Sequence, residues 1–136
     1  MEKQERTRIL IAEGKAEARL ALREYIKAQP GLDVVAEAAD SQSLLEGAEA
    51  TCPDVVLLEW DLPDRPKADI FAALRNLGCQ PLLVVLGTHP ESSSPAMDAG
   101  ADAFVCKGDG PRQVMTTIRW LVLEARYAQP PDRHDL

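Results

Sequence analysis

Four charged residues stand at points where short apolar runs of the sequence end. Glu13 follows "RILIA", Glu59 and Asp61 follow "DVVLL", and Lys107 follows "DAFVC". Carboxylate oxygens are the ligands that Mg²⁺ prefers, and an ammonium group neutralises phosphate oxygens. Each residue taken alone is more often a solvated charge. Their joint occurrence favours a site that handles a divalent cation and a phosphoryl group.

The elements that must position these residues alternate along the chain. Compact aliphatic runs predict strands, and the stretches between them show helical spacing of apolar residues. The third run has no polar alternation, which is typical of a parallel strand covered on both faces. The sequence therefore predicts a doubly wound α/β fold, a three-layer (βα)5 sandwich around a five-stranded parallel sheet. The predicted strands are 8–13, 33–36, 54–59, 81–87 and 102–107.

This topology predicts where the charged residues meet. In doubly wound sheets the functional crevice lies beyond the carboxyl ends of the strands, where the strand order reverses. Glu13, Glu59 and Lys107 follow the first, third and fifth predicted strands. The fold and the charges therefore point to the same edge of the sheet.

Length and composition predict one domain. At 136 residues, with 46% hydrophobic and 27% charged residues, the chain can bury a core of its own. We predict the domain over residues 8–127. Residues 1–7 are expected to be a short disordered lead, and the Pro-rich stretch 128–136 a polar tail or the start of a linker.

Charge and cysteine content narrow the possible partners. The net charge of −7 disfavours direct binding to nucleic acid or to an anionic membrane. No apolar run approaches the roughly 20 residues that span a bilayer, and the N-terminus is polar, which indicates a cytoplasmic chain. The three cysteines lack metal-ligand spacing, so we expect all of them to be reduced and structural. They are Cys52, Cys79 and Cys106.

Several segments resemble the receiver domain of bacterial two-component response regulators, over about residues 7–127. They are "RILIAEGKAEARLALREYI", "VVAEAADSQSLLEGA", "PDVVLLEWDLP" and "AGADAFVCKG". The "VVAEAAD" and "PDVVLL" segments and the Lys-Gly after the fifth strand are similar to the NarL-type branch. The resemblance implies a flavodoxin-like fold that accepts a phosphoryl group from a histidine kinase onto an aspartate after the third strand, assisted by Mg²⁺.

The acidic positions of that family are filled unevenly here. The acceptor position, four residues before Pro63, is Glu59 rather than aspartate. The acidic pair after the first strand is Glu13 followed by Gly14, so the second acid is missing. We therefore expect either no cofactor or weakly bound Mg²⁺, with Glu13, Glu59 and Asp61 as the only candidate ligands.

The positions that sense the phosphate in the family also depart from the pattern. The position that carries a Ser or Thr after the fourth strand falls on Leu86 or Gly87, neither of which has a hydroxyl, and on Thr88 only with a further shift. The family's lysine is present as Lys107, and Phe104 matches the aromatic switch position. By its residue type alone, Phe104 is more often a core aromatic, and the switch role depends on signalling.

These departures lead to two hypotheses of function. Glu59 is one methylene longer than aspartate and could reach Lys107 without any phosphate. In the first hypothesis the domain is a non-enzymatic pseudo-receiver, a regulatory or protein-interaction module that works independently of phosphorylation. In the alternative it is a functional phosphorelay receiver, phosphorylated by a histidine kinase on Glu59 or Asp61, that controls transcription through an output domain or partner. A cofactor-binding enzyme of the same fold is disfavoured, because no Gly-rich phosphate loop follows the first strand.

Expected partners are proteins, either a histidine kinase or an output protein, with a possible homodimer through the face of residues 93–127. Trp120 on the last helix is either an anchor at such an interface or a residue packed under the sheet. Trp60, directly after the acceptor position, lies either over the mouth of the site or against the next helix.

Overall fold

The computed structural model describes residues 6–128. Most of the predicted lead 1–7 and of the predicted tail 128–136 therefore lies outside the described residues. Thr7 already opens the first strand, and Ala128 still belongs to the last helix, so regular secondary structure extends one residue beyond each predicted domain boundary.

Strands and helices alternate as the sequence predicts. The strands are β1 (Thr7–Ala12), β2 (Leu32–Ala38), β3 (Val55–Glu59), β4 (Leu82–Gly87) and β5 (Ala103–Cys106). The α-helices are α1 (Ala16–Lys27), α2 (Ser41–Thr51), α3 (Lys67–Arg75), α4 (Ser93–Ala99) and α5 (Pro111–Ala128). Short 3-10 helices, Pro90–Ser92 and Lys107–Asp109, precede α4 and α5.

The five strands form one parallel sheet in the order β2-β1-β3-β4-β5. The predicted doubly wound α/β fold is confirmed. The chain passes from β1 outward to β2 and then crosses back to β3, so the order reverses between β1 and β3. The ends of these two strands consequently lie side by side at the carboxyl edge of the sheet.

Both faces of the sheet are covered by apolar side chains. Leu58 belongs to a cluster with residues of α2, α3 and α4, and Leu57 to a second cluster with residues of α1 and α5. Both leucines are essentially inaccessible to solvent. Because successive side chains of a strand point to opposite faces, this double burial explains why β3 shows no polar alternation.

Helix α2 begins with a cap and ends at a cysteine. The Asp40 carboxylate accepts a hydrogen bond of 2.8 Å from the Ser43 backbone N–H, and the Asp40 N–H donates to the Ser43 hydroxyl. The Ser43 hydroxyl also donates to the Asp40 carboxylate at 2.7 Å, and this bond, together with the one from the Ser43 N–H, lowers the pKa of Asp40. The helix ends where Cys52 takes a left-handed conformation, with φ of 51°.

The expectation of three reduced cysteines is wrong for two of them. Cys52 and Cys79 form a disulfide, with their Cα atoms 5.7 Å apart, and Cys106 is free. Cys52 and Cys79 stand 27 residues apart in the chain. The loops before β3 and before β4 carry them to the same end of neighbouring strands, a proximity that their sequence spacing does not indicate.

No helix within the described part of the chain is both long enough and apolar enough to cross a membrane.

Replacing a leucine on either face of β3 tests this three-layer packing. We expect Leu57→Ala and Leu58→Ala each to lower the free energy of unfolding by about 3 kcal/mol, because each leaves a cavity in a separate covered face. Urea unfolding measures the change. Leu20→Ala on α1, where the leucine is 47% exposed, is the control and should change stability by less than about 0.5 kcal/mol. A large cost at only one of the two β3 positions would contradict a sheet covered on both faces.

Candidate functional site

Glu13, Glu59 and Lys107 converge at the carboxyl edge of the sheet, as the sequence predicts. The Lys107 Nζ atom lies 3.1 Å from Glu13 Oε1 and in direct contact with Glu59 Oε1. The side chains of Glu13 and Glu59 are only 3% and 7% exposed, while that of Lys107 is 34% exposed. One ammonium group therefore bridges two buried carboxylates.

Strand order accounts for this meeting. Glu13 directly follows β1 and Glu59 ends β3, and these strands are neighbours in the sheet. Lys107 comes directly after β5, which pairs with β4 and not with β3. Its long flexible stem must therefore cross the end of β4 to reach the two carboxylates.

The remaining oxygens of the two glutamates are held by the backbone. The Lys15 N–H donates a hydrogen bond of 3.1 Å to Glu13 Oε2, and the Asp61 N–H donates one of 3.1 Å to Glu59 Oε2. Glu59 Oε1 accepts no hydrogen bond of good geometry. Its contact with Lys107 is best described as an ion pair without a directed hydrogen bond.

The environment of Lys107 stabilises its protonated form. Partial burial by itself lowers the pKa of the ammonium, but its close contact with Glu59, its hydrogen bond to Glu13 and the negative charge of both carboxylates outweigh this effect. The net effect raises the pKa of Lys107 above its ordinary value. The group is therefore firmly protonated at neutral pH.

The structure distinguishes between the three candidates for the position after β4. A β-carbon built on Gly87 would lie 2.6 Å from Cζ of Phe104 and 3.7 Å from Cβ of Trp60. Leu86 lies on the other face of the sheet and packs with residues of α1 and α5. Thr88 is exposed, and its carbonyl faces the Cys106 thiol at 3.6 Å. Gly87 is thus the residue that faces Phe104, and the aromatic ring fills the space that a side chain at Gly87 would need.

Trp60 and Lys67 form a cation–π contact beside the site. Trp60 is half-buried against the cluster that Leu58 forms with residues of α2, α3 and α4. Lys67 Nζ lies 5.7 Å from the centre of the Trp60 ring. The Lys67 ammonium donates a hydrogen bond to the Leu62 carbonyl. Burial lowers the pKa of Lys67, although Asp61 and Glu59 act in the opposite direction. The placement of Trp60 fits packing against the next helix.

Sequence reasoning missed Lys67 and Ser41. Ser41 is fully buried, and its hydroxyl donates to the Pro63 carbonyl at 3.0 Å, while its N–H donates to Asp64 at 3.3 Å. These bonds fasten the loop that follows Glu59 to the start of α2. Asp61, which sequence reasoning grouped with the site acids, is exposed and contributes only its backbone N–H to Glu59.

The acidic residues do not fit a divalent cation in their present arrangement. Among residues 6–128, no three acidic, histidine or cysteine side chains are grouped so that they could hold a metal ion. Glu13 and Glu59 do converge, but both contact Lys107. A cation would have to displace the ammonium from both carboxylates, and Gly14 offers no further acid.

Comparison with known proteins agrees with this architecture. Residues 9–119 match the family model of the response regulator receiver domain. The nitrate/nitrite response regulator protein NarP of Escherichia coli (strain K12) is 30% identical over 113 residues, which make up 82% of this chain and 53% of the relative. The chain spans about half the length of the curated relatives it matches.

Solved structures give the same result. A LuxR-family two-component response regulator from Aurantimonas sp. SI85-9A1 superposes with a TM-score of 0.80 at 25% identity, over 88% of this chain and 86% of that chain. A chain in the complex of the P1 domain of CheA3 with CheY6 from R. sphaeroides superposes with a TM-score of 0.75 at 26% identity, over 88% of this chain and 98% of that chain. Together with the sheet order, these similarities confirm that the chain belongs to the response regulator receiver domain family of two-component systems.

Proposed function

We propose that this receiver domain is a pseudo-receiver, a protein-interaction or regulatory module that works independently of phosphorylation. The observation that carries the proposal is the bridge from Lys107 to Glu13 and Glu59. Glu59 stands at the phosphoacceptor position, and the lysine that would bind a phosphate there is already engaged by two buried carboxylates.

Charge is the first argument for this proposal. The bridge combines two carboxylates with one ammonium, so the crevice is already negative before any phosphate arrives. A phosphoryl group would add further negative charge and would need Lys107 as a charge-assisted partner. Recruiting Lys107 would leave the buried carboxylates of Glu13 and Glu59 unpaired, which is strongly unfavourable.

Geometry is the second argument. The extra methylene of Glu59 moves its carboxylate by roughly 1.5 Å relative to an aspartate. In-line phosphoryl transfer depends on positioning of that order, and such a misplacement costs about 10²-fold in rate. The missing acid at Gly14 removes a metal ligand that would otherwise stabilise the transferring group.

The third argument concerns the response to phosphate. Gly87 has no hydroxyl to donate to a phosphoryl oxygen, and the Phe104 ring already occupies the adjoining space. Phe104 therefore occupies this space without any phosphate in the site. This supports a domain with a single resident conformation rather than one that alternates with phosphorylation.

Exposed apolar residues between positions 93 and 127 support a protein partner. Trp120 is 56% exposed, Leu123 51% and Met97 43%. Trp120 also lines a groove of about 290 Å³ with Ala103 of β5. Exposed tryptophans commonly anchor interfaces, so its position favours the anchor interpretation over packing under the sheet. The proposed partner is a histidine kinase, an output protein or a second copy of the chain.

Treatment with a phosphoryl donor tests the pseudo-receiver proposal. We expect no mass increase of about 80 Da after incubation with acetyl phosphate and Mg²⁺, and no change of Trp60 fluorescence with beryllofluoride, because Lys107 and the acids remain paired. Intact-mass spectrometry is the measurement. The matched variant Gly14→Asp/Glu59→Asp, which restores both acids, controls for competence of the fold. A stoichiometric adduct on Glu59 or Asp61 in the unaltered chain would instead support the phosphorelay alternative.

Alkaline titration tests the Lys107 bridge. Since the folded-state pKa of Lys107 is raised, its stabilising effect is complete below the unfolded pKa of about 10.4 and is lost as the pH rises through the higher folded value. We expect Lys107→Met to lower the free energy of unfolding at pH 7 by about 2 kcal/mol, a value reduced because Lys107 is partly exposed. Above a pH of about 10.4 the variant should lose less stability than the unaltered chain. Urea unfolding across pH measures both effects. Lys15→Met, at an exposed position, is the control, and an equal alkaline loss in Lys107→Met and the unaltered chain would contradict the bridge.

Adding a β-carbon at Gly87 tests the packing of Phe104. Gly87→Ala should lower the free energy of unfolding by about 1 kcal/mol. This value is at the lower end for overpacking, because the β-carbon meets the free end of the Phe104 ring, which can turn outward. Gly78→Ala is the control, since nothing lies within 4 Å of a β-carbon there. Phe104→Leu should remove most of the cost, which a double-mutant cycle measures by chemical denaturation. Equal costs at Gly87 with and without Phe104 would contradict the proposed contact.

A further inference from the structure

The disulfide lies at the end of the sheet opposite to the Glu13–Lys107–Glu59 bridge. Cys52 is the residue at which α2 ends, just before β3, and Cys79 lies between α3 and β4. Cys52 is exposed and Cys79 is partly exposed. Both cysteines therefore lie at the surface of the folded domain.

Basic residues surround the pair. A cavity of about 650 Å³ includes Cys79 in its lining, together with Arg6, Arg8 and Arg126 and the carboxylate of Asp54. The Arg8 guanidinium donates a hydrogen bond of 2.9 Å to the Cys52 carbonyl, so positive charge lies close to both cysteines. Asp54 offsets part of this charge by accepting from the Arg8 N–H at 2.8 Å, and Arg6 pairs with Asp33 at 2.9 Å.

We infer that Cys52–Cys79 is a reversible redox site that exchanges with anionic low-molecular-weight thiols of the glutathione class. Positively charged neighbours favour the thiolate that departs when a disulfide is cleaved, and they attract an anionic thiol. Accessible disulfides are typically the labile ones.

The exchange balances as two successive substitutions. The incoming thiolate attacks Sγ of Cys52, the bond to Cys79 breaks, and Cys79 leaves as a thiolate. A second thiolate then attacks the mixed disulfide, which releases Cys52 and an oxidised dimer of the small thiol. The protein gains two electrons in all, and the two thiolates take up protons from solvent as the pH dictates. The reverse sequence closes the bond again.

The bond matters to the proposed site because of what it encloses. The ring between Cys52 and Cys79 contains β3, Glu59 and α3. A cross-link restricts the unfolded chain, and a ring formed over a sequence separation of 27 residues restricts it appreciably. The redox state therefore adjusts the stability of the segment that carries Glu59, without any contact with the carboxyl edge.

Titration with glutathione tests the inference. The full chain is equilibrated at varied ratios of reduced to oxidised glutathione, quenched with acid, and labelled with a maleimide under denaturing conditions. We expect one labelled cysteine in the oxidised form and three in the reduced form, with a reversible transition within the glutathione range. The melting temperature should fall by about 10 °C on reduction.

Single variants serve as controls. Cys106→Ser should keep the transition and the shift in melting temperature, whereas Cys52→Ser should lose both. Cys79→Ser should accumulate a mixed disulfide with glutathione at Cys52, because no second thiol of the pair remains to resolve it. Three labelled cysteines at every ratio, or a bond that stays closed at every ratio, would overturn the inference.

The choice of an anionic thiol has its own test. Oxidised glutathione should close the reduced pair faster than the cationic disulfide cystamine, and the ratio of the two rates should fall as salt is added. Equal rates at low salt would overturn the assignment of an anionic co-reactant.

Discussion

Two carboxylates are buried side by side at the carboxyl edge of the sheet, and the ends of three strands meet around the single ammonium that compensates them. The strand order places the end of β1 beside β3, so Glu13 and Glu59 are both removed from water. Buried charges cost several kcal/mol unless a partner compensates them. Lys107 provides that partner from the end of β5, across β4, and thereby joins the ends of three strands at one point.

The two ends of the sheet hold β3 by different kinds of bond. At the carboxyl edge Glu59 is held by an ion pair with Lys107, which depends on protonation. At the other edge Cys52 and Cys79 close a covalent ring around the same strand, which depends on the redox state. In the function we propose, the crevice no longer couples phosphate to conformation, and the exposed side chains between positions 93 and 127 retain the surface through which a receiver engages proteins.

Much of the fold and part of the site could be predicted from the sequence. Strand and helix periodicities arise from which side chains must be buried, so the five βα units and the double coverage of β3 follow from local patterns. The carboxyl ends of parallel strands necessarily share an edge, which is why Glu13, Glu59 and Lys107 could be assigned to one crevice before any contact was known. Their residue types also led to the proposal that this crevice departs from the family's phosphoacceptor chemistry.

Contacts between distant side chains could be read only from the folded chain. A shift of one residue along a strand turns a side chain to the opposite face, so the sequence could not show which of Leu86, Gly87 and Thr88 lies against Phe104, whereas the packing shows that Gly87 does. The pairing of Cys52 with Cys79 depends on a separation of 5.7 Å between residues 27 apart in the chain. Such contacts depend on how distant segments pack, whereas sequence patterns report only the local balance between burial and exposure.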